Sequence, residues 1–291
     1  MNNLRQVTMT SNSNTRKFRK ELRTIAKANR CQLLGILNTT PDSFFDGGKN
    51  FSPKTAVHAG LQMIKEGAFI IDVGGASSRP GADKLSPEDE WQRVKPVIEG
   101  ILNEIPGAFI SIDTYHSLVA RNAVQSGAVM VNDISAGSID PQMFQTVAEL
   151  NVPYVLMHMK GTPANMQDNP TYSNVIEEVY SFFETKLEEL KKLGVDDVVL
   201  DPGFGFGKTL QDNYTLLNNL NIFSDLGSII LSGISRKSMI YKALDCTAQE
   251  ALNGTTALNM IALKNGAQLL RVHDIAESNE VIKLHNLLNG F

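Results

Sequence analysis

Past residue 30 one theme recurs eight times: a short run rich in Leu, Ile and Val, then a polar residue or glycine, then a stretch with helical amphipathicity. The runs lie at 33–37, 69–73, 109–112, 129–131, 154–157, 198–200, 229–231 and 269–270. They are strand-sized and apolar throughout, the pattern of parallel strands buried on both faces. Four are announced by Gly-Ala, at Gly67, Gly107, Gly127 and Gly266. A glycine at a helix C′ position that feeds straight into a strand makes a tight αβ loop, so each marks a helix stop and a strand start. Segments such as 174–193 lie between the runs, with Val175, Val179, Phe182, Phe183, Leu187 and Leu190 mainly on one face. Eight such units at intervals of about 20 to 45 residues, with no domain-sized linker, predict an α/β single domain, a (β/α)8 TIM barrel over 31–291. Their irregular period excludes a solenoid.

Composition agrees. Of 291 residues 42% are hydrophobic and 20% charged, which excludes a disordered or collagen-like chain. Apolar stretches such as 198–200 and 228–231 fall far short of the roughly 18 residues of a membrane span, so no membrane partner is expected. The two cysteines, Cys31 and Cys246, have no CxxC spacing and read as reduced thiols of a cytoplasmic protein. Net charge is −4, yet residues 1–30 carry eight Lys or Arg against Glu21 alone, leaving −11 on the remainder. The acidic body argues against a nucleic-acid partner. The basic N-terminal extension, 1–30, lacks the apolar core of a secretory signal; its Arg-rich, acid-poor start resembles an organellar transit peptide, and a helical or frayed extension is expected over it. It supplies none of the polar strand ends, so turnover is expected to survive removal of residues 1–28.

A barrel places its chemistry on the loops after the strand C-termini. Here the residues ending or following the runs are Asn38, Asp72, Asp113, Asn132, His158, Asp201, Gly233, Arg271 and His273. So many polar groups at apolar strand ends are costly to bury without mutual hydrogen bonds or a polar ligand. The first loop, from Asn38 to Gly48, is long, ends in glycines and carries Phe44 and Phe45, as a water-excluding lid would. The second runs Gly74-Gly75-Ala76-Ser77-Ser78-Arg79-Pro80-Gly81. The string from Asp201 to Thr209 imitates a P-loop but leaves three residues, not four, between Gly203 and Gly207, so it reads as an aromatic loop after a strand-end carboxylate. Lys237, in Ser235-Arg236-Lys237-Ser238, and Arg271 bring charge to the loops after strands seven and eight, where barrels gather phosphates. Arg271 and His273, two apart on an extended end, share a side. His158 is read either as site wall or as structure, and His58, His116 and His285 as surface helix positions. No HxxxH, CxxC or carboxylate triad points to a tightly held transition metal; Mg²⁺ carried by a pyrophosphate and touching one protein oxygen stays open.

These motifs together, with Met157-His158-Met159-Lys160-Gly161-Thr162-Pro163, make the chain from about residue 32 onward resemble dihydropteroate synthase. The resemblance implies a TIM barrel, Mg²⁺, a homodimer, and the joining of 6-hydroxymethyl-7,8-dihydropterin pyrophosphate to p-aminobenzoate in folate synthesis, with sulfonamides as competitive inhibitors. It further implies pterin contacts from Asp113, Asn132, Asp201 and Lys237, and pyrophosphate contacts from Asn38, Arg271 and His273, with Asn38 touching the metal. A p-aminobenzoate pocket would come from Ser78, Arg79, Pro80, Phe206, Lys237 and Ser238. One departure is Ala76, where the family's usual text has Glu. Two rival readings are a corrinoid-dependent, pterin-binding methyltransferase, which has no need of the pyrophosphate cluster, and a catalytically silent barrel, for which Ala76 is the hint.

Overall fold

The computed structural model describes residues 2–28, 30–40, 52–76 and 85–290, with the side chains of the first helix from residue 13 onward. Eight parallel strands close into a barrel in sequence order, β1 pairing with both β2 and β8. They are β1 (Gln32–Asn38), β2 (Ile70–Gly74), β3 (Ile110–Asp113), β4 (Met130–Asp133), β5 (Tyr154–Met157), β6 (Val198–Asp201), β7 (Ile229–Ser232) and β8 (Leu269–Val272). The helices that alternate with them include α2 (Pro53–Glu66), α3 (Pro87–Glu104), α4 (Ser117–Gln125), α5 (Met143–Leu150), α6 (Val175–Lys192), α7 (Leu210–Asn218), the short α8 (Ser238–Tyr241), α9 (Leu252–Lys264) and α10 (Ile275–Leu288). Their starts are built as the sequence invites: Ser52 and Ser86 cap α2 and α3 with Pro53 and Pro87 behind them, and Thr209 with Asp212 forms a capping box on α7. Three Gly-Ala stops behave as expected, Gly67, Gly127 and Gly266 all having positive φ. Gly107 does not; α3 ends earlier, at Glu104 with Ile105 as its C-cap, and Gly107 sits in the turn beyond.

Side chains alternate along each strand, so one set faces the helices and the other fills the barrel. Leu34, Ile70, Met130, Val155, Val199, Leu231 and Leu269 form the inner apolar layer. Beneath it lies α1 (Asn2–Ala28), whose Phe18, Leu22 and Ile25 are buried against that same layer. The Phe18 ring packs on Phe69 and Phe109 at the N-terminal ends of β2 and β3, with centroids 6.0 and 5.1 Å apart. Arg19 and Arg23 both grip Asp197, just before β6. The basic extension is therefore the floor of the barrel, at the end opposite the polar strand termini.

Candidate active site

The period of two that puts Leu34, Ile70 and Leu269 inside also sends Asn38, Asp72, Gly74, Arg271 and His273 inward, higher up. Register brings them level: Asn38 is opposite Gly74, Gly74 opposite Asp113, and Asp113 opposite Asn132. A Cβ on Gly74 would lie 3.5 Å from both the Asn38 Oδ1 and the Asp113 carboxylate, so glycine keeps the space between them open. Arg271 reaches across the mouth, donating from Nε to Asp72 Oδ2 at 2.7 Å and from Nη2 to Asp113 Oδ2 at 2.6 Å. Asn132 Nδ2 donates to the same Asp72 oxygen at 2.9 Å. On the other side Asp201 accepts from the Gly203 amide at 2.8 Å. Lys237 donates to the Phe204 carbonyl at 2.5 Å and lies 4.4 Å from the centre of the Phe206 ring. Ser238 opens α8 beside it.

The electrostatics follow from burial and from these partners. Burial raises the pKa of Asp113 to about 7, held back by Arg271, and likewise raises that of Asp201, held back by Lys237. Lys237 is lowered by burial to about 8, with Asp201 opposing. Burial works against the charge of Arg271 too, but Asp72 and Asp113 outweigh it and raise its pKa. His273 is lowered to about 4 by burial and by Arg271, so its ring is neutral at pH 7. The His273 amide donates to Ser235 Oγ at 3.2 Å and the Ser235 hydroxyl lies 3.0 Å from Nδ1. With the hydroxyl as donor, Nδ1 is the acceptor and the proton sits on Nε2, making His273 a neutral hydrogen-bond donor.

Asp113, Asn132, Asp201, Lys237 and Arg271 thus converge on one end of the barrel, with Asn38 beside Asp113. Ser78, Arg79 and Pro80, and the first loop from Pro41 onward, lie outside the described residues. Asp72 is the residue whose role was missed: named as a strand end, it is the buried anchor that aligns Arg271 and Asn132, and its signal is a carboxylate inside the run Ile70-Ile71-Asp72-Val73. Ser235 and Lys208 were overlooked in the same way. Lys208 is buried among carbonyls, lowered to about 7 by burial against the pull of Asp201. His158 is buried against Lys208 and the Phe182 ring, and burial and Lys208 bring its pKa to about 2, leaving a neutral ring.

Of the three expected surface histidines, His58 alone is exposed. His116 precedes α4, half-buried, with Nε2 3.9 Å from the buried Glu90 carboxylate. His285 is buried on α10 between Asn289 and Cys31, because this face of the helix packs on the barrel. Burial pushes the Cys31 thiol up to about 11, and neither cysteine is bridged. Among the described residues no three His, Cys, Asp or Glu are grouped to hold a metal.

A closed barrel with strand-end carboxylates, amide, lysine and arginine at one mouth defines a barrel enzyme for a hydrogen-bonding, anionic small molecule. The family described as pterin binding enzyme matches residues 34–273. Dihydropteroate synthase of Haemophilus influenzae is 42% identical over 255 residues, 87% of this chain and 92% of that one. Among solved structures, Yersinia pestis dihydropteroate synthase in a sulfonamide drug complex superposes with a TM-score of 0.86 at 37% identity, covering 90% of this chain and 96% of the other. The Xanthomonas albilineans enzyme in complex with 7,8-dihydropteroate gives 0.81 at 35% identity, with 90% and 95% covered. The chain belongs to the pterin binding enzyme family and, within it, to the dihydropteroate synthases.

Proposed function

We propose that the polar mouth of the barrel is where 6-hydroxymethyl-7,8-dihydropterin pyrophosphate and p-aminobenzoate are joined, with release of pyrophosphate. The observation that carries this reading is the convergence of Asp113, Asn132, Asp201, Lys237 and Arg271 there. A pterin edge presents an amino group beside a ring N–H, and the Asp201 carboxylate, already oriented by Gly203, accepts both. Asp113 and Asn132 take further ring positions, and Lys237 donates to the pterin carbonyl and ring nitrogen. Of the five N–H groups of Arg271, two are engaged by Asp72 and Asp113, which fix the guanidinium plane and leave three for the pyrophosphate. His273 adds its Nε2–H. Charge grows on the leaving pyrophosphate as the C–O bond breaks, so these preorganised donors act most strongly in the transition state. The amine of p-aminobenzoate is itself nucleophilic and needs no strong base.

Asn38 offers one neutral oxygen, which suits a Mg²⁺ arriving on the pyrophosphate rather than a resident ion, and Mg²⁺ there would supply further charge neutralisation to the leaving group. Phe206, Lys237 and Ser238, with Ser78, Arg79 and Pro80, form the second-substrate pocket, in which sulfonamides compete with p-aminobenzoate. Support comes from the Yersinia relative, whose structure holds a sulfonamide drug. On this reading the chain acts as a cytoplasmic homodimer, and the Ile261, Leu284, Leu287 and Leu288 side chains that α9 and α10 expose support the pairing. The test is a coupled assay of pyrophosphate release with each substrate omitted in turn. Release requiring both substrates is expected; release from the pterin compound alone at the full rate would refute the condensation.

A further inference from the structure

We propose that Lys208, at the foot of the loop between β6 and α7, is a positioning residue that sets the shape of the p-aminobenzoate side of the site. The inference rests on the reading above. The Lys208 Nζ donates to three backbone carbonyls, those of His158 at 3.2 Å, Gly203 at 3.0 Å and Phe206 at 3.1 Å, and lies 3.0 Å from His158 Nδ1. The side chain is buried, and all of these partners are neutral. A buried ammonium is costly, and one surrounded by converging carbonyl dipoles repays that cost only while those carbonyls stay aimed at it. It therefore fixes the conformation of 203–207 from behind.

The loop cannot reach this conformation by side-chain adjustment alone. Gly203 and Gly207 have φ of +69° and +63°, and a Cβ on either would fall 1.9 Å from the His158 carbonyl or 2.2 Å from that of Lys160. The loop thus lies directly on the backbone after β5, and Lys208 ties the two together. Its outer surface carries what the site uses: the Gly203 amide on Asp201, the Phe204 carbonyl on Lys237, and the Phe206 ring over the Lys237 ammonium. The Phe206 amide donates to the Gly203 carbonyl at 3.0 Å, and Lys208 Nζ, bonded to the Gly203 and Phe206 carbonyls together, braces from behind the turn that carries the Phe206 ring.

Lys208→Met keeps the stem and removes every donor. The expected result is a KM for p-aminobenzoate raised about tenfold or more, with the affinity for pterin pyrophosphate, measured by calorimetry, changed less than about threefold. Lys208→Arg, which keeps donors and charge, should recover part of the loss. Should Lys208→Met fail to fold, His158→Leu carries the same test, removing the imidazole partner, with a smaller shift in the same direction. An unchanged KM for p-aminobenzoate in the folded variant, or equal losses for both substrates, would overturn the proposal. If the wild type itself released no pyrophosphate, the functional reading would fail instead.

Discussion

At the scale of single residues, the site is a set of charges held in place by other buried charges. Arg271 is the clearest case, since Asp72 and Asp113 hold its fork across the mouth. Removing it should lower kcat by about 10²-fold or more, on the order of 3 kcal/mol, the scale of losing one preorganised donor to a developing anion. Steady-state kinetics of Arg271→Ala check this; a normal kcat with only a raised KM would make Arg271 a ground-state binding residue. Glu90 is a second buried carboxyl group, on α3 against Gly75 and 3.9 Å from His116 Nε2. Burial raises its pKa from 4.5 to about 8. Between those values the unfolded chain has lost a proton that the folded chain keeps, so stability falls as pH rises, by about 1.4 kcal/mol per unit for this group, and the loss is complete above pH 8. Glu90→Gln has no such proton to lose. Urea unfolding should show the variant gaining on the wild type from pH 5.5 to pH 8; a constant difference across that range would contradict the assignment.

At the scale of elements, the eight runs were legible because buried parallel strands are apolar throughout. Their C-terminal bounds were not. The ladder continues past the apolar residues, so that Asn38, Asp113, Asp133, Asp201 and Ser232 belong to strands although their chemistry belongs to loops. Asp72 and Lys208 were hidden for a related reason: a charge buried by partners far away in sequence carries no local signal of who those partners are. Arg and Lys crowd helix α1 and give it the character of a basic tail, while Phe18, Leu22 and Ile25, at intervals of four and three, form the stripe that closes the floor. Burying each contributes roughly 1.5–3 kcal/mol. Deleting residues 1–28 should therefore lower Tm by about 10 °C or more for a domain of this size, while kcat at low temperature stays within about twofold, since the helix lies at the end away from the site. A truncated protein with unaltered Tm would show that the floor is dispensable; one that is fully folded but inactive would show that it is coupled to the mouth.

At the scale of the whole molecule, the barrel divides its labour along its axis. Phe18, Leu22 and Ile25 seal one end, the apolar layer fills the middle, and the inward positions above that layer turn polar on six of the eight strands. Closure in sequence order makes this possible, because β1, β2, β3, β4, β6 and β8 bring Asn38, Asp72, Asp113, Asn132, Asp201 and Arg271 to a single ring. The central claim is that this ring, and Asp201 in particular, recognises the pterin. The most direct measurement is a calorimetric titration of pterin pyrophosphate into the wild type and into Asp201→Asn. An amide in place of the carboxylate sets a donor against the pterin's donors and leaves buried groups unpaired, at roughly 1–3 kcal/mol or more. Affinity is expected to fall at least tenfold, with the variant folded by circular dichroism; wild-type affinity in that variant would contradict the account.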